Sequence, residues 1–410
     1  MEQGQATRSK RQREVASGSL NPPAGNLGVH EPATGIKDII GQNLKASREA
    51  ADLSQEKFAE MLGISRATLS GFENGRVAID SAKLLMAARL LGKPVGDFFK
   101  QEEPALALLY RSAEDVVPGP AVRANFQRLC EAYRELEEIV GVADTVLSPP
   151  EYKYSSEFHS KPHHFAAQVA QSERVRLGLS QLEPVENIFR LLDENGVRLF
   201  ALDIDQDRVF GISAFSVRYG PCLLVNTRNT RERNIFTAAH EYGHLLMHRD
   251  LYVNALPAEQ KDLEMEELAD TFAAHFLVPV PGLRDLCRKN VGQKEIGVED
   301  VVFLKRHFRV SAKMILRRLR EADLIPSGQH DNQLERLRNA EPDNAREFAP
   351  LNVDPITEWL LACRFYHLVR KAALAEMVSL GKLAELLDQN LVQTRAQVQT
   401  WRREMAVVSA

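Results

Sequence analysis

The sequence lacks paired cysteines, long apolar runs and a charge of one dominant sign. Four cysteines are scattered through 410 residues without a C-x-x-C pair, so neither a disulfide framework nor a cysteine-based zinc site is implied. The first 35 residues contain no apolar stretch resembling the core of a signal peptide. The net charge of −4 favours no particular class of partner. We therefore expect a cytoplasmic protein with reduced thiols and no membrane segment.

The composition is that of a soluble globular protein, because 44% of the residues are hydrophobic and 26% are charged. A chain of this length fills two or three ordinary domains.

Residues 237–248 carry an H-E-x-x-H pattern within an otherwise apolar segment. On an α-helix, residues i and i+4 lie on one face, so His240 and His244 can converge on one ion. Zinc in such a site needs a third protein ligand and one open position for a water, whose pKa the metal lowers. Glu241 lies beside the ion and is the predicted base. The pattern therefore predicts a metal-dependent hydrolase.

A second apolar segment, residues 263–279, supplies the remaining candidates, because its Glu266 and Asp270 share one helical face. Glu266 would complete a His/His/Glu site for Zn²⁺. Asp270, one turn later, would accept a hydrogen bond from the far nitrogen of His240 and fix its tautomer. His248 continues the first motif by one turn, where packing is a better prediction than ligation. The alternative is that these histidines only pack in a helical core.

These two segments resemble the ImmA/IrrE-type metallopeptidases, whose pattern pairs H-E-x-G-H-x-x-x-H with a later E-x-x-A-[DN]-x-F-A-A-x-x-L-x-P. The resemblance covers roughly residues 160 to 325. It departs at Tyr242, where an aliphatic residue is expected, and at His275, where an acid is expected. The resemblance implies an α+β zincin-like domain that cleaves a regulatory protein, typically a repressor. The matching residues are His240, Glu241, Gly243, His244 and His248, then Glu266, Ala269, Asp270, Phe272, Ala273, Ala274, Leu277 and Pro279.

A different pattern lies between residues 40 and 75. Ser54 is a suitable N-cap, Phe58 and Leu62 belong to an apolar stripe, and Gly63 can adopt the left-handed conformation that ends a helix. A second capped helix follows, and its outward face suits the major groove of DNA. This is a helix-turn-helix signature.

The same region resembles the Xre or lambda-repressor-like family, which implies five short helices and binding to double-stranded operator DNA. In that family the second helix of the motif faces the bases, while residues at the ends of the motif contact phosphates. Ten Lys and Arg against eight Asp and Glu between residues 37 and 100 predict weak binding by a monomer and suggest a homodimer. The alternative is a protein-interaction module. The predicted DNA-contacting residues are Gln55, Arg66, Ala67, Thr68 and Asn74.

The other segments carry no catalytic motif. Residues 103–140 have helical spacing, and two prolines soon afterwards mark a linker. Short apolar runs between residues 197 and 226 predict a small sheet beside the active-site helix, and its edge could bind an extended substrate. Residues 355–410 are predicted to be helical, and they could clamp the preceding domain, dimerise, hold a partner protein or simply pack.

The expected fold is mainly α with a small β-sheet: a five-helix helix-turn-helix domain, an α+β zincin-like metallopeptidase domain and a helical C-terminal extension. The predicted segments are a disordered basic N-terminal arm (1–35), the helix-turn-helix domain (36–101), a helical connector and linker (102–160), the metallopeptidase domain (161–326) and a helical C-terminal region (327–410).

Two functions fit these patterns. The leading hypothesis is a DNA-binding transcriptional regulator with a zinc-dependent endopeptidase domain. Its substrate would be another transcriptional regulator, in a mobile-element, stress-response or toxin–antitoxin setting. The alternative is a non-proteolytic repressor or antitoxin whose metallopeptidase-like domain acts as a sensor or protein-binding module. Glu241→Gln separates the two, because it should abolish cleavage and leave metal and DNA binding intact.

Overall fold

The structure is a computed structural model. It describes residues 35–51, 53–99, 107–112, 116–143, 148–154, 161–253, 263–291, 295–326, 332, 351–360 and 362–408. The basic arm predicted at the N-terminus lies outside the described residues except for Gly35. The chain divides into two units, whose described residues run from 35 to 99 and from 107 to 408. Helices with one small mixed sheet confirm the predicted fold class.

The first unit consists of five short helices. They are α1 (Ile36–Ala50), α2 (Gln55–Leu62), α3 (Arg66–Glu73), α4 (Ser81–Leu91) and a 3-10 helix (Val95–Phe99). The predicted caps are present, because Ser54 Oγ accepts a hydrogen bond from the Lys57 amide at 3.2 Å and Gly63 has a φ of 63°. Phe58 and Leu62 are fully buried in the core of this unit.

A buried ion pair joins α1 to α3 in this unit. Arg48 Nε donates to Glu73 Oε1 at 2.6 Å, and Arg48 Nη2 donates to Glu73 Oε2 at 3.1 Å. Gln55 Nε2 also donates to Glu73 Oε2, at 2.7 Å. Both oxygens of this carboxylate are therefore satisfied although the residue is buried.

The second unit contains one four-stranded sheet. Its strands are β1 (Leu108–Ser112), β2 (Arg198–Leu202), β3 (Val209–Ser216) and β4 (Gly220–Asn226), in the spatial order β1-β3-β4-β2. β3 is antiparallel to both of its neighbours, and β2 is parallel to β4. β1 comes from the connector that was predicted to be helical. It pairs along β3, so β3 lies inside the sheet and not at its edge.

Helices surround this sheet. They are α5 (Pro120–Val140), α6 (Pro162–Arg176), α7 (Ile188–Glu194), α8 (Arg231–Met247), α9 (Arg249–Val253), α10 (Leu263–Leu277), α11 (Val280–Leu286), a π-helical turn (Cys287–Val291), α12 (Val298–Phe308) and α13 (Ala312–Glu321). α8 packs against β3 and β4, and α10 packs against α6 and α8. α12 and α13 are separate helices, because Arg309 adopts a left-handed φ of 57° after α12.

The C-terminal helices pack on this second unit. They are α14 (Pro355–Leu360), α15 (Arg364–Leu374), α16 (Leu380–Leu387) and α17 (Leu391–Val408). Glu137 of α5 is fully buried and accepts hydrogen bonds from Arg198 of β2, at 2.5 Å, and from Arg364 of α15. The buried carboxylate of Glu137 thus joins the connector, the sheet and the C-terminal region. Among the described residues, no helix is both long and apolar enough to cross a membrane.

Candidate metal centre

Two helices bring the predicted metal ligands together. His240 and His244 lie one turn apart on α8, and Glu266 lies on α10, which packs against it. The Nε2 atoms of the two histidines are 3.1 Å apart. Each of these nitrogens is 3.4 Å from a different oxygen of Glu266. The three side chains therefore converge, with one candidate donor atom from each within 4.8 Å of the other two.

The spacing of these donor atoms fits a zinc ion. Zinc bonds to nitrogen and oxygen of about 2.0–2.1 Å in tetrahedral geometry give ligand–ligand edges of about 3.3–3.4 Å. The 3.1 Å between the two nitrogens and the 3.4 Å from each nitrogen to its own Glu266 oxygen are close to those edges. Two imidazoles and one carboxylate are also a donor set typical of catalytic zinc sites.

A separate partner holds the second nitrogen of each histidine. His240 Nδ1 is 2.8 Å from Asp270 Oδ1, as predicted for that aspartate. His244 Nδ1 is 2.8 Å from His248 Nδ1. Both contacts leave Nε2 free to bind a metal ion, because a hydrogen bond at Nδ1 fixes the tautomer and the orientation of the ring. The packing role expected for His248 thus includes a direct contact with a predicted ligand.

The electrostatics of the centre favour a cation. Burial opposes a charged His240, but Asp270 and Glu266 outweigh burial and raise the pKa of this imidazole to about 9. Burial also opposes a charged Glu266, yet its contacts with the two histidines bring the pKa of this carboxyl far below its ordinary value. Burial lowers the pKa of His248, so this imidazole stays neutral. A positive charge is therefore stabilised at His240, beside Glu266, and disfavoured at His248, further along α8.

Glu241 is held by residues that the sequence analysis did not single out. Its carboxylate accepts a hydrogen bond from Ser213 on β3, and Ser213 Oγ accepts one from Tyr252 on α9 at 2.9 Å. The other oxygen, Oε1, is buried without a hydrogen-bond partner among the described residues. Burial raises the pKa of Glu241 above its ordinary value. One oxygen is thus fixed and the other is available to a reactant.

A glycine on β3 lets α8 approach the sheet closely. A Cβ atom at Gly211 would lie 2.4 Å from Thr237 Cγ2 and 3.4 Å from Glu241 Cγ. It would also lie 3.1 Å from a carbonyl oxygen of β4. No side chain fits there without moving the helix, so Gly211 sets the depth at which Glu241 lies.

β1 brings an arginine to the centre. Arg111 Nη1 donates to Thr237 Oγ1 on α8 at 2.9 Å, and its guanidinium lies 4.7 Å from the ring centre of Phe236. Burial lowers the pKa of Arg111, whereas Asp270 and Glu241 favour its charged form. Nothing in the spacing of the sequence connects this residue to the H-E-x-x-H pattern.

Both departures from the family pattern have local partners. The Tyr242 hydroxyl donates to Glu173 Oε2 at 2.6 Å and accepts from Arg176 at 3.0 Å, so its polar end is satisfied in the core. His275 is 2.9 Å from Nη1 of Arg318. Glu321 supplies the carboxylate that pairs with that buried arginine at 2.5 Å. Neither departure changes a proposed ligand.

The predicted DNA-contacting residues lie on or beside α2 and α3. Arg66 and Ala67 are exposed at the start of α3, and Thr68 is half-buried, with its hydroxyl 2.8 Å from Ser65 Oγ. Asn74 is exposed at the C-terminal end of α3 and donates to the Ser70 carbonyl at 2.7 Å. Gln55 begins α2 and contacts Glu73 through its amide. The outward face of α3 therefore carries small side chains and a single cation.

Comparison with known families identifies both regions. Residues 44–98 match the helix-turn-helix family model, and residues 192–320 match the model of the IrrE N-terminal-like domain, Peptidase_M78. The chain therefore contains an Xre-like helix-turn-helix domain and an IrrE/ImmA-like domain, as the sequence patterns predicted. β1 and Arg111 lie outside the residues that match the second model.

Individual proteins resemble only part of the chain or resemble it weakly. Antitoxin PezA of Streptococcus pneumoniae serotype 4 is 44% identical over 43 residues, which are 10% of this chain and 27% of that protein. Bacillus thuringiensis PlcR, solved with the peptide PapR7 and DNA, aligns over 91% of this chain and 97% of its own, at 10% identity and a TM-score of 0.17. Apo ComR of Streptococcus vestibularis aligns over 91% and 99%, at 12% identity and a TM-score of 0.16. Scores this low show no shared overall fold.

Proposed function

We propose that this chain, which joins a helix-turn-helix domain to an IrrE N-terminal-like domain, is a DNA-binding regulator that cleaves a protein with a zinc-dependent active site. The observation that carries the proposal is the convergence of donor atoms from His240, His244 and Glu266 to within 4.8 Å of one another, next to the buried carboxylate of Glu241. The expected substrate is a transcriptional regulator in a mobile-element, stress-response or toxin–antitoxin setting.

His240, His244 and Glu266 would hold the zinc ion, which would supply Lewis-acid polarisation of a peptide carbonyl and of a water molecule. Glu241 takes the proton of the attacking water on Oε1, the oxygen that has no partner among the described residues. Burial keeps the pKa of this carboxyl raised, which makes it a stronger base than an exposed glutamate. Glu241 then returns the proton to the leaving nitrogen, while Ser213 holds the other carboxylate oxygen in place.

The DNA-binding half of the proposal rests on the exposed start of α3. Arg66 forms an ion pair with Glu56 at 3.0 Å, but both side chains are more than half exposed. Such a pair contributes little energy, so DNA phosphates or bases can compete for the arginine. Ala67 and Thr68 offer only limited direct discrimination between bases. We expect a homodimer to supply the remaining affinity and specificity.

The test is to incubate the purified, zinc-loaded protein with the regulators encoded beside its gene, with and without DNA, and to follow intact masses over time. The matched control is Glu241→Gln, which removes the base and keeps all three metal ligands. We expect fragments to form at least about a hundredfold faster with the unsubstituted protein than with the variant. Equal zinc content and equal DNA affinity of the two proteins must accompany this result.

One observation favours a second candidate, a metal-holding regulator with little turnover. β1 pairs along β3, from Leu108 opposite Ala214 to Ser112 opposite Val209. β3 is therefore not open to an extended substrate, so a substrate that pairs with the sheet edge near α8, as the sequence analysis predicted, would have to pair with β1. If no regulator is cleaved despite full zinc loading, and Glu241→Gln leaves every regulatory output unchanged, the peptidase proposal fails and this second candidate replaces it.

A further inference from the structure

A basic cleft lies directly beside the metal centre. It has a volume of about 540 Å³ and reaches Asp270, the residue that holds His240. Residues from β1, α8 and α13 line it, and five of them are cationic. These five, the cleft cations, are Arg111, Arg233, Lys313, Arg317 and Arg320.

Most of the cleft cations have no ion-pair partner among the described residues. The exception is Arg317, whose Nε lies 2.7 Å from Glu321 Oε1. The acidic residues of the lining are already engaged, because Asp270 contacts His240 and Glu232 receives Lys305 Nζ at 2.9 Å. Among the described residues, the lining of the cleft therefore carries more positive than negative side chains.

Arg111 is the innermost of these cations, and it is held rigidly. Its guanidinium lies 4.7 Å from the ring centre of Phe236 and 5.2 Å from that of Phe210, and it donates to Thr237. The Arg233 guanidinium lies 4.5 Å from the centre of the same Phe210 ring. Aromatic rings contact both guanidiniums, and neither has a carboxylate within ion-pair distance among the described residues, which suits recognition of a carboxylate.

We propose that the basic cleft binds an acidic segment of the polypeptide substrate, so that Asp or Glu side chains near the scissile bond select what is cleaved. This inference rests on the proposed function and names the substrate class of the same site. Arg111 is its specificity-determining residue closest to the metal ligands, and Lys313 and Arg320, both exposed, form its rim.

Polypeptide fits the cleft better than nucleic acid. The volume of about 540 Å³ lies within the range of concave pockets that enclose small ligands or a few side chains. Proteins contact the phosphate backbone of a duplex along extended stripes or grooves. The cleft also reaches Asp270, which contacts the predicted ligand His240, so a polypeptide bound there lies near the site where a peptide bond must be placed if the proposed function holds.

The experiment measures binding without cleavage. Full-length, zinc-loaded protein carrying Glu241→Gln is titrated against fluorescein-labelled hexaglutamate, and binding is followed by fluorescence anisotropy at low and high salt. We expect the double substitution Lys313→Glu, Arg320→Glu to weaken binding about tenfold or more at low salt. The matched control, Arg306→Glu, reverses an exposed cation of α12 outside the cleft and should have no such effect.

Two results would overturn the inference. The first is hexaglutamate affinity that the double substitution leaves unchanged or that Arg306→Glu lowers equally. The second is an equal loss of duplex-DNA affinity in the double variant, which would make the cleft part of a nucleic-acid surface. Because the protein in this titration cannot cleave, failure here leaves the proposed peptidase activity untouched. Conversely, a lack of cleavage elsewhere does not prevent the binding measurement.

Discussion

The candidate metal centre and the outward face of α3 differ in how firmly they hold their side chains. At the centre, His240 and His244 are 1% and 2% exposed, and each has a fixed partner on its second nitrogen. On α3, the Arg66 side chain is 65% exposed and is paired only with an exposed glutamate. Metal chemistry needs its donors in place before the ion arrives, whereas a DNA-contacting arginine can be ordered by the contact itself.

This difference predicts where substitutions do damage. A change at the metal centre leaves buried polar atoms without partners, so it affects the local structure as well as the chemistry. A change on the outer face of α3 should alter DNA affinity and little else. The first unit nevertheless has a buried ion pair of its own, Arg48–Glu73, which allows the comparison to be tested within that unit.

The largest effect is expected for His244→Ala. Zinc sites in proteins contribute about 10–16 kcal/mol of binding free energy, so loss of one ligand of three should cost on the order of 4 kcal/mol, roughly a thousandfold in affinity. Competition with a chromogenic zinc chelator measures this change. His367→Ala, at an exposed histidine of α15, is the control and should keep full affinity. Retention of tight zinc binding by His244→Ala would contradict the assigned ligand set.

The next effect is expected for Arg48→Ala, which leaves the buried Glu73 carboxylate without its guanidinium partner. Removing one member of a buried pair costs about 3 kcal/mol or more, because the remaining charge is uncompensated. We expect the first unit to unfold at lower denaturant concentration and DNA binding to be lost, while zinc affinity is kept. Arg89→Ala, at an exposed arginine of α4, is the matched control. Parallel loss of zinc affinity would show that the two units do not behave separately.

The ligand geometry was predictable because the period of one helix determines it. His240 and His244 are separated by four residues, and Glu266 and Asp270 are separated by four more on a second helix, so the spacing alone places each pair on a face. The caps of α2 and α3 were predictable for a similar reason, since Ser54, Gly63 and Ser65 act on their own helix ends. Helical spacing and helix capping, which act within one helix, therefore predicted most of the candidate metal centre and of the helix-turn-helix motif.

Residues that contact the candidate metal centre from other segments could not be predicted from helical spacing or capping. Arg111 and Thr237 are 126 positions apart, and no periodicity connects them. β1 is only five residues long and precedes a long helix, so the helical spacing of the whole stretch predicts a helix where β1 lies. Ser213 offered a usable signal, because it is a polar residue within an apolar run of a strand. Its contact with Glu241 nevertheless depends on Gly211, whose lack of a side chain has meaning only once α8 is in place.

The smallest effect distinguishes a metal ligand from a residue that positions one. His248→Ala removes the partner of His244 Nδ1, which lies at 2.8 Å, but removes none of the three converging donor atoms. We expect zinc affinity to fall about tenfold to a hundredfold, the usual cost of losing a group that orients a ligand. The visible spectrum of the cobalt-substituted protein should keep its tetrahedral bands, because the ligand set is unchanged. A loss as large as that of His244→Ala, with altered bands, would instead make His248 a ligand. Asp270→Asn tests the same role at His240. Similar losses of zinc affinity in the two variants would show that an imidazole and a carboxylate orient their histidine ligands equally well.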